Sequence, residues 1–177
     1  AEEENKMLFA YQRNFARGSL STKVQVLQDA ASREATGMGK LYLQAIDFYL
    51  DNFNTLREDP TAIELVKLAA RLAGEAEYKP AASDLWNLFQ QSGDVGIQVV
   101  AVQSIGRLLE TEDQMLGSLI DYLEVQNSLF REGSEVQLQV IAETITALAR
   151  IGSTDAFPVL FAAAYLGYPQ QIEEKAE

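Results

Sequence analysis

The chain has no cysteine and no histidine, only 4 prolines in 177 residues, and no long apolar run. Each absence removes a class of explanation. Without cysteine there is no disulfide and no thiolate nucleophile, and with histidine also missing the two commonest zinc ligands are gone together. A nucleophilic triad would have to be built from serine and lysine. The longest apolar-rich stretch, Phe157 to Tyr165, is about half of the roughly 18–20 residues that span a bilayer, so no membrane insertion is expected. Strict apolar–polar alternation is missing as well, which leaves no convincing strand. Gly37 to Lys40 reads GMGK, lacking the first part and the closing Ser/Thr of a phosphate-binding loop. No calcium-binding EF-hand loop is found. No cofactor and no metal is expected.

Basic residues are scarce. The formal net charge is −12, with 14 Lys/Arg against 26 Asp/Glu. Residues 1–59 hold 7 basic and 9 acidic side chains, a balance of −2, and residues 60–177 hold 7 and 17, a balance of −10. Such a field repels phosphate backbones, and no basic stripe overrides it, so nucleic acid is excluded as the expected partner and a basic one is favoured. The chain opens with AEEEN, an alanine before acidic residues that suits the end left by signal-peptide cleavage, and export is the compartment it leans to.

What is present is helical periodicity from end to end. Met7, Leu8, Tyr11 and Phe15 stripe a first helix over 2–17, closed by Gly18, with Glu2, Glu3 and Glu4 at its positive end. Four helix pairs follow, over about 21–56, 59–91, 94–131 and 134–166, and a further helix starts over 169–177. Ser21, Asp59 with Pro60, and Ser134 read as N-caps, and the TGMG break from Thr36, Gly74 and Gly152 read as stops. Because the last helix begins without a terminator, a longer natural chain is expected.

One phrase returns four times with an arginine at its centre: DAASRE at Arg33, KLAARLA at Arg71, QSIGRLLE at Arg107 and TALARIG at Arg150. The intervals are 38, 36 and 43 residues, a period that marks a helical solenoid. The longest interval calls for a longer second helix, from Glu112 to about Phe130. The arginine suits the end of a helix, where a cation meets exposed carbonyls, and is read as structural rather than as a ligand-binding ladder.

Over about 20–165 these pairs resemble HEAT repeats, whose first helix ends in an Ala-Leu-Gly-x-Ile-Gly-like phrase. TALARIG, Thr146 to Gly152, is the nearest to it, and the segment around Arg33 departs furthest. The resemblance implies an all-α, right-handed α-α superhelix of about four HEAT-like (armadillo-like) pairs with an N-terminal capping helix. It also implies a scaffold that binds a protein or peptide along a concave face lined by the second helices. The alternative it leaves is a HEAT-type enzyme or a small-molecule or chromophore-handling protein with a concave pocket. DNA glycosylases of HEAT-like build have a basic concave face, which the −10 opposes.

Large aromatics beside the apolar stripes are the candidate binding residues. Trp86, the only tryptophan, is one position off the Leu85/Leu88/Phe89 stripe; Tyr122 flanks Leu119 and Leu123 next to Asp121; Tyr165 ends the FAAAY run. Such residues are enriched at interface hot spots. Trp86 divides evenly between binding and packing, and for Tyr122 and Tyr165 packing between helix pairs is the expectation. The carboxylate pairs Asp47/Asp51 and Asp121/Glu124 share helix faces and are read as solvated rather than catalytic.

Overall fold

The caps explain where the helices begin. The Asp59 carboxylate accepts from the backbone N–H groups of Thr61 and Ala62, with Pro60 in the first turn, and Asp94 accepts from Ile97 N at 2.8 Å. The computed structural model describes residues 2–33 and 37–176, with side chains from residue 5 onward. The acidic start at Glu2, Glu3 and Glu4 and the Thr36 end of the TGMG break therefore fall outside the described side chains. The described chain is all helical: α1 (Glu2–Arg17), α2 (Leu20–Ser32), α3 (Gly39–Asp51), α4 (Phe53–Leu56), α5 (Pro60–Glu75), α6 (Ala82–Gln91), α7 (Val95–Leu108), α8 (Met115–Arg131), α9 (Leu138–Ile151), α10 (Phe157–Ala164) and α11 (Gln170–Ala176).

Several boundaries differ from the sequence reading. Ser19, not Ser21, caps α2, its hydroxyl accepting from Thr22 N. Ser134 does not cap α9, which starts at Leu138 behind a Gln137 that makes no side-chain cap. The long second helix begins at Met115 because the Asp113 carboxylate is spent on Glu110 N in the preceding turn. Gly74 does not end α5 but lies inside it. Gly152 does stop α9, in the left-handed conformation with φ 71° that favours glycine.

The helices form two rows. In one, α2 packs on α5, α5 on α7, α7 on α9 and α9 on α11; in the other, α1 packs on α3, α3 on α6 and α8 on α10. The Phe89–Tyr122 ring contact joins α6 to α8 and completes the second row. Across the rows, each second-row helix packs mainly on the first-row helix that follows it: α1 on α2, α3 on α5, α6 on α7, α8 on α9 and α10 on α11. The connections explain this in part, because the links at 18–19, 57–59 and 92–94 are short and hold consecutive helices together. The hairpins read from the sequence therefore straddle the packed couples. The N-terminal helix, expected as a cap, stands in the second row and meets α2 as α3 meets α5.

The repeated phrase marks the closest approach within the first row. A Cβ on Gly74 would lie 2.6 Å from Ser104 Oγ, and a Cβ on Gly106 would lie 2.7 Å from the Ala147 Cβ. Ser104 Oγ donates to Ala70 O at 2.8 Å, tying α7 to α5 through a buried bond. The small residues next to the arginines are what let these helices touch. The arginines themselves stay at the surface, Arg33 paired with Asp29 and Arg71 with Glu75 along their own chain segments. The second row is more widely spaced, and bulky groups fill the gaps. Between α1 and α3 the Lys23 ammonium is buried between the Phe15 and Phe48 rings, at 4.9 and 4.8 Å from their centroids. It donates to Phe15 O and Gly18 O at 2.6 and 2.8 Å, closing the C-terminal end of α1. Burial holds its pKa below the ordinary lysine value.

Candidate interaction surface

Trp86 and Phe89 are one turn apart on α6, and their rings stack 5.2 Å apart with planes 17° from parallel. Phe89 is 2% exposed and forms the floor, while Trp86 is half-buried and keeps one side open. The Tyr122 ring of α8 meets Phe89 edge-on at 4.9 Å. Helical spacing on α8 then places Ser118, Asp121, Tyr122 and Val125 on the side turned to α6. Together these residues line an open groove of about 510 Å³ between α6 and α8.

Three of the four residues singled out from the sequence, Trp86, Asp121 and Tyr122, thus line one groove. Tyr122 combines both of its readings, packing through one edge and lining the groove with another. Burial pushes its phenol up to about 12. Trp86 is likewise both, core through its stack on Phe89 and surface on its open side. Tyr165 is a correction. Expected to pack between helix pairs, it follows the last turn of α10 and is 72% exposed. Its ring lies 4.8 Å from that of Phe161 on its own chain segment, which in turn lies 5.8 Å from Phe157.

Phe157, Phe161 and Tyr165 make an exposed ladder at i, i+4 and i+8, a feature that reading FAAAY as one apolar run missed. The signal was available: Val159, Ala163 and Ala164 supply the buried stripe of α10, which leaves the aromatics on the open side. Between the ladder and the groove, α8 and α10 are joined by a buried network. Asn127 Nδ2 donates to Val159 O at 3.2 Å, the Tyr168 hydroxyl donates to Asn127 Oδ1 at 3.1 Å, and the Tyr168 ring stacks on Phe130 at 4.1 Å. Burial and the neighbouring Tyr122 push the Tyr168 phenol up to about 12.

Charge separates α3, α6 and α8 from the first row, whereas α1 of the second row carries Lys6, Arg13 and Arg17. The second-row helices α3, α6 and α8 carry Asp47, Asp51, Asp84, Asp121 and Glu124 against Lys40 and Arg131. Among the described residues none of these five carboxylates has an ion-pair partner or a side-chain hydrogen bond, whereas Asp29, Glu75 and Glu143 of the first row pair with Arg33, Arg71 and Lys175. Partial burial, then the charges of Asp84 and Asp51, hold the Asp47 carboxyl above the usual carboxylate range. No group of three or more potential metal ligands is assembled among the described residues.

Comparison with protein-family models, with curated proteins and with solved structures finds no match for this chain. The surface has to be interpreted from its own chemistry. No described helix is long and apolar enough to cross a membrane.

Proposed function

We propose that this chain is a HEAT-like helical-repeat module that binds a protein or peptide across its second-row helices and performs no catalysis. The observation that carries the reading is the α6/α8 groove, where half-buried aromatic rings and an unpaired carboxylate stand together on an open surface. Aromatic anchors ringed by polar groups are the common energetic centre of protein interfaces. The exposed ladder on α10 extends the same row with further apolar area.

The spacing of the rows supports placing this face on the outer side rather than on a concave one. Helices whose backbones nearly touch, as at Gly74/Ser104 and Gly106/Ala147, lie on the inner side of a bend, and more widely spaced helices lie on the outer side. The proposed binding face is therefore the second-row layer itself rather than a concave face. An open groove between parallel helix edges suits an extended or helical polymer better than a small molecule.

Site-resolved photo-crosslinking tests the proposal. Benzoylphenylalanine is placed at Val125 beside the groove, at Phe161 on the ladder, and at Gln103 on the exposed side of α7, and the proteins are irradiated in extract of the source organism. Adducts with a common partner at Val125 and Phe161 and none at Gln103 support binding on the second row. Adducts at Gln103 alone, or at no position, would refute it.

A further inference from the structure

The groove has a chemistry that selects among peptides. Its floor and walls are π faces and edges, with Phe89 beneath and Trp86 and Tyr122 at the sides. The Asp121 carboxylate stands on the rim, exposed and with no cation beside it among the described residues. Neither the Trp86 indole N–H nor the Tyr122 hydroxyl has a protein hydrogen-bond partner there. The neighbouring surface repeats the sign: Asp84 of α6 and Asp47 and Asp51 of α3 continue the unpaired acids along the row, and Glu124 lies one turn from Asp121. Their mutual repulsion is relieved by any cation that docks beside them.

We infer that the α6/α8 groove takes an arginine side chain of a basic peptide, its guanidinium plane stacked on the open face of Trp86 beside the Tyr122 ring and charge-paired with Asp121. The inference rests on reading the second row as the binding face. A guanidinium fits where an ammonium fits less well, because it is planar, weakly hydrated and able to stack on an aromatic face while its edge donates to a carboxylate. Further basic residues of the same peptide meet Asp84, Asp47 and Asp51, and an apolar neighbour covers Val125. The first row offers no equivalent, since α2, α5, α7 and α9 carry Lys23, Lys67, Arg71, Arg107 and Arg150 against four acids, three of them paired.

Trp86 is the only tryptophan in the chain, so its emission reports this groove and nothing else. The probe is a short glycine–serine peptide carrying repeated Arg-Leu steps, titrated into the full chain at low salt. Matched peptides carry citrulline, which keeps the planar shape without the charge, or lysine. The expected result is a saturable change in Trp86 emission, with affinity falling at least about tenfold for the citrulline peptide and less for the lysine peptide. Asp121→Asn should weaken the arginine peptide by about three- to fivefold and Asp121→Lys by more than about tenfold, with binding weakening as salt is raised. Asp121 is exposed and makes no contact that the fold needs, so both variants should fold.

Equal binding of the arginine and citrulline peptides would overturn the inference. So would an equal loss on neutralising Glu64 and Glu75 in the first row, since binding would then follow net charge alone. If the peptides fail while Val125 still crosslinks to a partner, the second row remains the binding face and the arginine assignment falls. If Val125 crosslinks to nothing, both fall.

Discussion

Replacing Gly106 by alanine tests whether the repeated phrase is a packing device. On propensity alone, alanine at an interior helical position gains about 1 kcal/mol over glycine. At Gly106 the new methyl would lie 2.7 Å from the Ala147 Cβ and 2.9 Å from the Ala147 Cα, and neither atom can swing aside. Ordinary carbon contacts are about 3.5–4.0 Å, so α7 and α9 must separate. Overpacking of this kind costs about 1–3 kcal/mol, which leaves Gly106→Ala neutral to about 2 kcal/mol destabilising. Gly117 on α8 provides the internal control, because a Cβ there meets nothing within 4 Å. Gly117→Ala, in the first turn of α8, should stabilise by up to about 1 kcal/mol. The decisive construction is the exchange Gly106→Ala with Ala147→Gly, which moves one methyl across the same contact. It should recover most of the loss, with a coupling energy of about 1–2 kcal/mol. Urea denaturation followed by circular dichroism measures the parent, Gly106→Ala, Ala147→Gly, their exchange and Gly117→Ala, at constant m-value if the unfolded state is unchanged. A gain at Gly106 equal to that at Gly117, with an additive exchange, would mean that α7 and α9 do not touch there.

Three further outcomes are expected. Asn127→Ala removes the donor to Val159 O and strands the Tyr168 hydroxyl in the interior; it should cost about 2–4 kcal/mol, Tyr168→Phe about 1 kcal/mol, and the pair less than their sum in a denaturation cycle. Alkaline stability should fall between pH 10 and about 12. Tyr122 and Tyr168 ionise near 10 when unfolded but near 12 when folded, so their contribution is complete below pH 10 and is lost as pH rises through 12. Each is worth at most about 2–3 kcal/mol at the top of that window, and Tyr168→Phe should flatten the decline measured by denaturation at stepped pH. Phe161→Ser, at a side chain that is 54% exposed, should change stability by no more than about 0.5 kcal/mol while reducing binding of a hydrophobic dye, because the ladder is surface rather than core.

Helix identity was legible because it rests on local rules. The stripe Met7, Leu8, Tyr11, Phe15 is the inward side of α1, Asp59-Pro60 caps α5, and Gly152 takes the left-handed turn after α9. The all-helical class follows from those rules together. Packing couples were not legible, because chain adjacency does not say whether a helix packs harder on its predecessor or its successor. That preference is set by link length and by small residues such as Gly74 and Gly106, which look like stop signals in one dimension and prove to be contacts in three. The α6/α8 groove was half legible. Trp86 and Tyr122 stood out by lying beside their stripes, but their meeting over Phe89 joins residues more than thirty positions apart. Tyr165 was misplaced for a related reason: a run of apolar residues at a helix end does not reveal which of them the next helix covers.

The same geometry that builds the stack also explains why grooves open on its second row. If successive first-row helices are drawn together through Gly, Ala and Ser, the second-row helices, fixed across from them, are held further apart. A gap left between them would expose the core, so large side chains must fill its base: Phe15, Lys23 and Phe48 between α1 and α3, Phe89 and Tyr122 between α6 and α8, Asn127, Phe130 and Tyr168 beside α8 and α10. Rings large enough to close the base also reach the rim, and there they become the walls of grooves. Core and surface are then parts of the same side chains rather than separate sets. Charge completes the difference, because three of the four acids on α2, α5, α7 and α9 pair with arginine or lysine while those on α3, α6 and α8 have no ion-pair partner among the described residues. A substitution that tightens the second row, filling the space around Trp86, would therefore stabilise the stack and close the groove in the same step.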